Sequence, residues 1–253
     1  IEGAAQVPVN DPATQISAMA AVTEHLGFGV TAAATFEQPY TLARRYASLD
    51  HLTEGRVGFN VVTSYLPSAA ENQGLPTQIP HDERYEIADE FLDVCYKLWE
   101  GSWEDGAVVK DRERGIYADP SKVHPIGHKG KYFSVPGISL TEPSPQRTPV
   151  IFQAGASSRG QKFSGKHAEA VFISALRPDL TRVVTDRIRA AAEEQGRSRD
   201  DVKILAMLSV IVDETEEKAK AKYEEYKKYV NLESAQAIIC LLYTSDAADE
   251  RSS

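Results

Sequence analysis

The sequence predicts an α/β chain, a partial (β/α) barrel with an insertion, on three observations. Short β-branched runs alternate with helical runs about five times. The first two such runs flank one helix and close a strand–helix–strand unit, which implies parallel strands. No GxGxxG turn marks a dinucleotide-binding sheet. At 253 residues, 42% hydrophobic and 26% charged, the chain carries enough apolar material for one core of barrel size. Five strands leave such a barrel incomplete, with apolar strand edges that are expected to favour aggregation over stable folding.

Asn10, Asp11 and Pro12 offer a helix start, and Ile16, Met19, Ala20, Val22 and Leu26 recur at helical spacing until Gly27 stops the run. A strand is predicted over Phe28 to Thr35. A helix follows from about Gln38 to Leu52 with Leu42, Tyr46 and Leu49 inward, then a second strand over Val57 to Ser64. After a loop from Tyr65 to Pro80 comes the clearest helix, with Asp82 as its expected cap and Tyr85, Ala88, Leu92, Cys95, Leu98 and Trp99 on one face. From about 101 to 147 the periodicity is lost and Pro and Gly recur. Only Lys131 to Val135 reads as a strand there, so the segment is expected to be an insertion or lid. Val150, Ile151 and Phe152 suit a buried strand that turns into a helix at Ser157 or Ser158. Further strands are predicted over Ala170 to Ala175 and Ile204 to Val212, separated by a helix from about Asp179 to Gln195. A charged, solvated helix runs from Glu214 to about Val230.

A net charge of −9 with scattered Lys and Arg argues against a nucleic-acid partner. Cys95 and Cys240 make neither a disulfide framework nor a metal-ligand spacing, which fits a reducing cytoplasm and predicts no metal. No run approaches a membrane span, so no membrane partner is expected. The first residues lack a start Met and a basic, apolar leader, and the chain is expected to begin in mid-protein.

The turn after Val150–Phe152 is the candidate anion site. Gly155, Ala156, Ser157, Ser158 and Gly160 present little side chain, and a helix beginning there aims unpaired N–H groups and its positive dipole end into the turn. An ordinary strand-to-helix loop capped by serine has the same pattern. A P-loop is excluded, because Gln161, Lys162 and Phe163 stand where Lys and Ser or Thr are needed. Asn60, an amide in an apolar strand, needs partners that a ligand can supply. Thr63, Ser64 and Tyr65 lie where a barrel strand hands over to its active-site loop, and Thr31 and Thr35 are second-rank candidates on the neighbouring strand. Tyr85 is placed to extend its hydroxyl towards a ligand. His81 is explained by the helix start beside Asp82 and Glu83, and no catalytic residue is assigned. No Ser/His/Asp order or paired carboxylate supplies hard chemistry, which points to a phosphorylated cofactor.

The stretches VTEHLGFGVTAAAT, YTLARRYASLDHLTEGRVGFNVVTSYLPSAAEN, HDERYEIADEFLDVCYKLWEGSWED, DPSKVH and EPSPQRTPVIFQAGASSRGQKF make the chain recognisable. It resembles the bacterial luciferase-like, FMN-dependent two-component monooxygenases, in the branch of nitrilotriacetate monooxygenase component A and long-chain alkane monooxygenase. The resemblance covers residues 1 to 238. It implies a TIM barrel with two strands before Ile1 and one beyond Val230. It also implies reduced FMN supplied by a separate flavin reductase, and O₂ and a small organic substrate as co-reactants. Ser64, Tyr65, Tyr85, Ala154, Gly155, Ala156 and Ser157 match flavin-binding positions, with Asn60 beside them. Gln6 matches a substrate-pocket residue, and Tyr65 stands where the alkane enzyme has a His, so the alkane substrate does not carry over. A homo-oligomer is compatible with all of this. A deazaflavin-dependent hydride transferase of the same superfamily is the alternative enzyme, and a non-catalytic flavin-binding fragment the alternative to an enzyme. Residues 239 to 253 have no counterpart in the family and are expected to be a non-native tail.

Overall fold

Asp11 accepts the Ala13 N–H at 2.9 Å and opens helix α1 (Pro12–Ala20), as the Asn-Asp-Pro signal predicts. The computed structural model describes residues 8–155, 157–174 and 177–236. Helix α1 ends well before Gly27, leaving Val22 and Leu26 82% and 50% exposed. Arg56 explains the early stop. Its guanidinium donates to Ala20 O at the helix end and to Leu26 O, so residues 21–26 are held as a turn.

Next come β1 (Phe28–Ala33), α2 (Pro39–Thr53), β2 (Val57–Val62), the short α3 (Pro67–Asn72) and α4 (His81–Tyr96). Helix α4 starts at Pro80 and Asp82 does not cap it; the Asp82 carboxylate takes a bond from His81 Nδ1 at 2.8 Å instead. A π-turn over Lys97–Gly101 continues α4, and Leu98 and Trp99 are both buried in it, with Trp99 Nε1 donating to Ala43 O at 2.9 Å. The segment from 101 to 147 holds two small antiparallel ladders, β3 (Val108–Asp111) with β4 (Ile116–Ala118), and β5 (His128–Lys129) with β6 (Ser134–Val135). The alternation then resumes with β7 (Val150–Gln153), α5 (Ser158–His167), β8 (Ala170–Ile173), α6 (Pro178–Glu194), β9 (Lys203–Ala206) and α7 (Glu216–Lys227).

One five-stranded sheet of order β1-β2-β7-β8-β9 is parallel throughout. Among the described residues β1 and β9 form its open edges, which agrees with the predicted partial barrel. Val30, Phe59, Val61 and Ile151 point from the sheet into a core closed by Leu42, Tyr46, Phe91, Leu92 and Phe163 from the helices, and Val171 and Ile173 point into a second cluster with Ile188, Ala192 and Val202. On the opposite face lie Thr31, Asn60, Phe152, Phe172 and Leu205, the last two 43% and 40% exposed. Strand β9 is shorter than its apolar run, because β8 gives it register only from Lys203 to Ala206, and Leu208, Val210 and Val212 stand exposed beyond it.

Candidate functional site

The strands end together on one side of the sheet, and neighbouring register places the turns after β2 and β7 next to each other, with Asn60 opposite Phe152. Asn60 Nδ2 donates to Thr31 Oγ1 at 2.9 Å, whereas its Oδ1 is buried with no hydrogen-bond partner. An orphaned amide oxygen in an apolar strand is the feature that a ligand N–H would satisfy. Thr35 is occupied otherwise, since its hydroxyl donates to Thr63 O at 2.7 Å and ties the two strand ends together. Just beyond, Ser64 adopts a left-handed backbone with φ of 57°, an uncommon state for a residue with a side chain. Ser64 and Tyr65 are both half-buried.

The turn after β7 is built by its neighbours. Ser157 caps α5, its Oγ accepting the Gly160 N–H at 2.9 Å, and the first-turn N–H groups of Ser158 and Arg159 have no partner within the helix. The Gly155 N–H is already committed to Gln153 Oε1, which also accepts the Ser164 hydroxyl at 2.8 Å. A Cβ on Gly155 or on Gly160 would sit 2.7 Å from the Tyr85 hydroxyl oxygen. The missing side chains therefore admit Tyr85, and not only a ligand. Tyr85 is 4% exposed, its ring packed on Phe163 and His81, so the hydroxyl is brought to the turn from one helix away. Ala154 is exposed at the mouth; Ala156 and Gln6 lie outside the described residues.

Behind Tyr85 lies a charged cluster that sequence reading did not assemble. Asp89 pairs with Arg159 through Oδ2, and its Oδ1 accepts from Lys166 Nζ at 3.0 Å and His167 Nε2 at 2.8 Å. Burial alone would raise the Asp89 carboxyl, but the bonds from His167, Arg159 and Lys166 outweigh it and hold it well below the usual range. The His167 imidazole is lowered by its own burial, which the nearby carboxylate only partly offsets, and its Nδ1 lies 3.2 Å from the Tyr96 hydroxyl. The sequence does carry a trace of the cluster: Asp89 stands one helical turn after Tyr85 on the inward face, while Arg159, Lys166 and His167 share a face of α5. His81 lies against Tyr85, and its Nδ1 is held by Asp82. No group of three or more His, Cys, Asp or Glu that could hold a metal occurs among the described residues, and no helix there is long and apolar enough to cross a membrane.

Comparison with known proteins gives the same architecture a wider setting. A family profile described as luciferase-like monooxygenase matches residues 2–250. The chain is 60% identical over 238 residues to dimethyl-sulfide monooxygenase of Hyphomicrobium sulfonivorans, covering 94% of this chain and 50% of that protein. It is 55% identical over 233 residues to long-chain alkane monooxygenase of Geobacillus thermodenitrificans, covering 92% of this chain and 53% of the relative. The crystal structure of a long-chain alkane monooxygenase superposes with a TM-score of 0.92 over 94% of this chain and 55% of that one. A riboflavin lyase solved with modified FMN and riboflavin superposes at 0.89 with 43% identity, over 93% and 52% of the two chains. The chain thus spans about half the length of the curated relatives it matches.

Proposed function

The chain belongs to the luciferase-like monooxygenase family, and from that premise we propose that it forms the flavin-phosphate side of an FMN-dependent monooxygenase acting on a small organic substrate. The observation that carries this reading is the Tyr85 hydroxyl lodged against Gly155 and Gly160 at the Ser157-capped start of α5. Reduced FMN, when bound, supplies the electrons that activate O₂ for transfer of one oxygen atom.

The chain's own groups bind and orient. The hydroxyl of Ser157 and the N–H groups of Ser158 and Arg159 receive the phosphate, aided by the dipole of α5 and by Tyr85 as a further O–H donor. The orphaned Asn60 Oδ1 accepts an N–H of the flavin ring at the adjacent strand end. The small side chain of Ala154 leaves room for the flavin's phosphate arm, Ala156 is assigned beside it by family likeness, and Ser64 and Tyr65 line the same end. Gln6 and Tyr65 are assigned to the substrate pocket by family likeness. A separate flavin reductase delivers the reduced cofactor in the cytoplasm, and a homo-oligomer is compatible with the site. Relatives of 55–60% identity that are named monooxygenases support FMN chemistry over the deazaflavin alternative. Because the chain spans half of those relatives, the second reading is a flavin-binding fragment without turnover.

Fluorescence titration with FMN and riboflavin tests the phosphate site. FMN is expected to bind at least about tenfold tighter, near 1.4 kcal/mol, and equal affinities would remove the phosphate from the site. Uptake of O₂ with reduced FMN and an organic thioether or alkane then separates the enzyme from the fragment.

A further inference from the structure

We infer that Asp89 is a positioning residue for the flavin phosphate, acting through Arg159 and Tyr85; this rests on the phosphate-turn reading above. Asp89 and Tyr85 lie one turn apart on α4, and Asp89 faces the first and last turns of α5 at once. Its Oδ2 holds the Arg159 guanidinium, whose carbon lies 5.4 Å from the centre of the Tyr85 ring. Phe163 packs against that ring at 5.5 Å and His81 at 5.2 Å. Three neighbours thus confine the ring, and the hydroxyl is left directed at Gly155 and Gly160.

The second carboxylate oxygen fixes the frame. Lys166 and His167 both bond Oδ1, and Asp89 is the acceptor that ties the C-terminal end of α5 to α4 while Arg159 ties its start. The guanidinium faces two candidate acceptors, the half-buried Asp89 carboxylate and an incoming phosphate. Its ion pair with Asp89 keeps it as the lid of the Tyr85 ring, so that the phosphate meets N–H and O–H donors of fixed direction instead of a swinging cation. Arg159 with Asp89 then sets how well the Tyr85 hydroxyl is aimed, and the effect of Asp89 is felt by the phosphate alone.

FMN and riboflavin titrations of the 253-residue chain test this with Asp89→Asn, Tyr85→Phe and the double variant. Asp89→Asn is expected to weaken FMN about tenfold while riboflavin changes less than about twofold, and the double variant should bind FMN no more weakly than Tyr85→Phe alone. Additive losses, or equal losses for FMN and riboflavin, would overturn the assignment, because either would mean that Asp89 does not act through the Tyr85 hydroxyl. If Asp89→Asn fails to fold, Arg159→Gln decides the matter. It leaves Asp89 its bonds from Lys166 and His167, and the same phosphate-selective, non-additive loss is expected. A wild-type chain that shows no preference for FMN would overturn the phosphate-turn reading and this inference together. A clear wild-type preference that both variants retain would overturn only the inference.

Discussion

At the scale of single residues, Gly155 answers to its packing as well as to any ligand the turn could hold. The bare turn is legible in the sequence because Gly, Ala and Ser cluster between an apolar run and a helix start. What the glycine makes room for is not, since Tyr85 and Gln153 reach it through tertiary packing, and no local pattern reports that. Gly155→Val should act first on these neighbours: the new Cβ meets the Tyr85 oxygen at 2.7 Å and the Gln153 side chain at 2.8 Å. Overpacking of this kind costs about 1–3 kcal/mol. Thermal melts should show a lowered midpoint for Gly155→Val and partial recovery when Tyr85→Phe removes the hydroxyl. A double variant less stable than Gly155→Val would show that the clash lies elsewhere. Asn60 was identifiable as an amide out of place, yet only the fold reveals that Thr31 satisfies one end of it and nothing satisfies the other.

At the scale of elements, α4 is more than the amphipathic helix that its spacing announces. Its outer carboxylates reach into the segment between β2 and β7: Glu90 accepts the N–H groups of Lys131, Tyr132 and Phe133 at 3.0, 3.0 and 2.8 Å, and His128 Nε2 lies 3.1 Å away. Lys97 Nζ donates to His128 Nδ1, so Nε2 carries the proton and donates to Glu90. Glu90→Gln keeps the shape and loses the charge, which costs about 1.5–3 kcal/mol for bonds to an ionised acceptor. Hydrogen exchange should then speed up about tenfold or more at the amides of Lys131 to Phe133, with α5 protected as before. Unchanged protection there would mean that the β5–β6 ladder holds without the carboxylate. Only Lys131 to Val135 reads as a strand from the sequence, and Ser134–Val135 is β6; the rest of the segment shows no period of its own, because its order comes from a side chain on another element. The early end of α1 has the same origin, in the distant guanidinium of Arg56. The π-turn after α4 is not visible to a 3.6-residue reading, because Leu98 and Trp99 fall on the inward face of the regular helix and of the π-turn alike.

At the scale of the molecule, the alternation of runs was sufficient to place all five parallel strands, since each is apolar on the face that the helices cover. The other face is the chain's liability. Phe152 and Phe172 stack at 5.6 Å, Leu205 lies beside them, and Met207 and Leu208 beyond β9 are 65% and 75% exposed. Such a surface next to an open strand edge favours contact between copies. Sedimentation velocity should show a mean mass that rises with concentration, and Phe172→Lys should reduce the rise; a wild-type chain that stays monomeric at every concentration would contradict it. The strands also lie side by side in the order in which they are made. The sheet can therefore grow at one border as the polypeptide leaves the ribosome, each arrival docking on the one before. One step in that sequence is slow, because roughly ninety residues separate β2 from its next partner, β7. At roughly 5–20 residues per second, the growing border at β2 waits roughly 4–18 s for its neighbour, and for that interval the nascent chain is at its most adhesive.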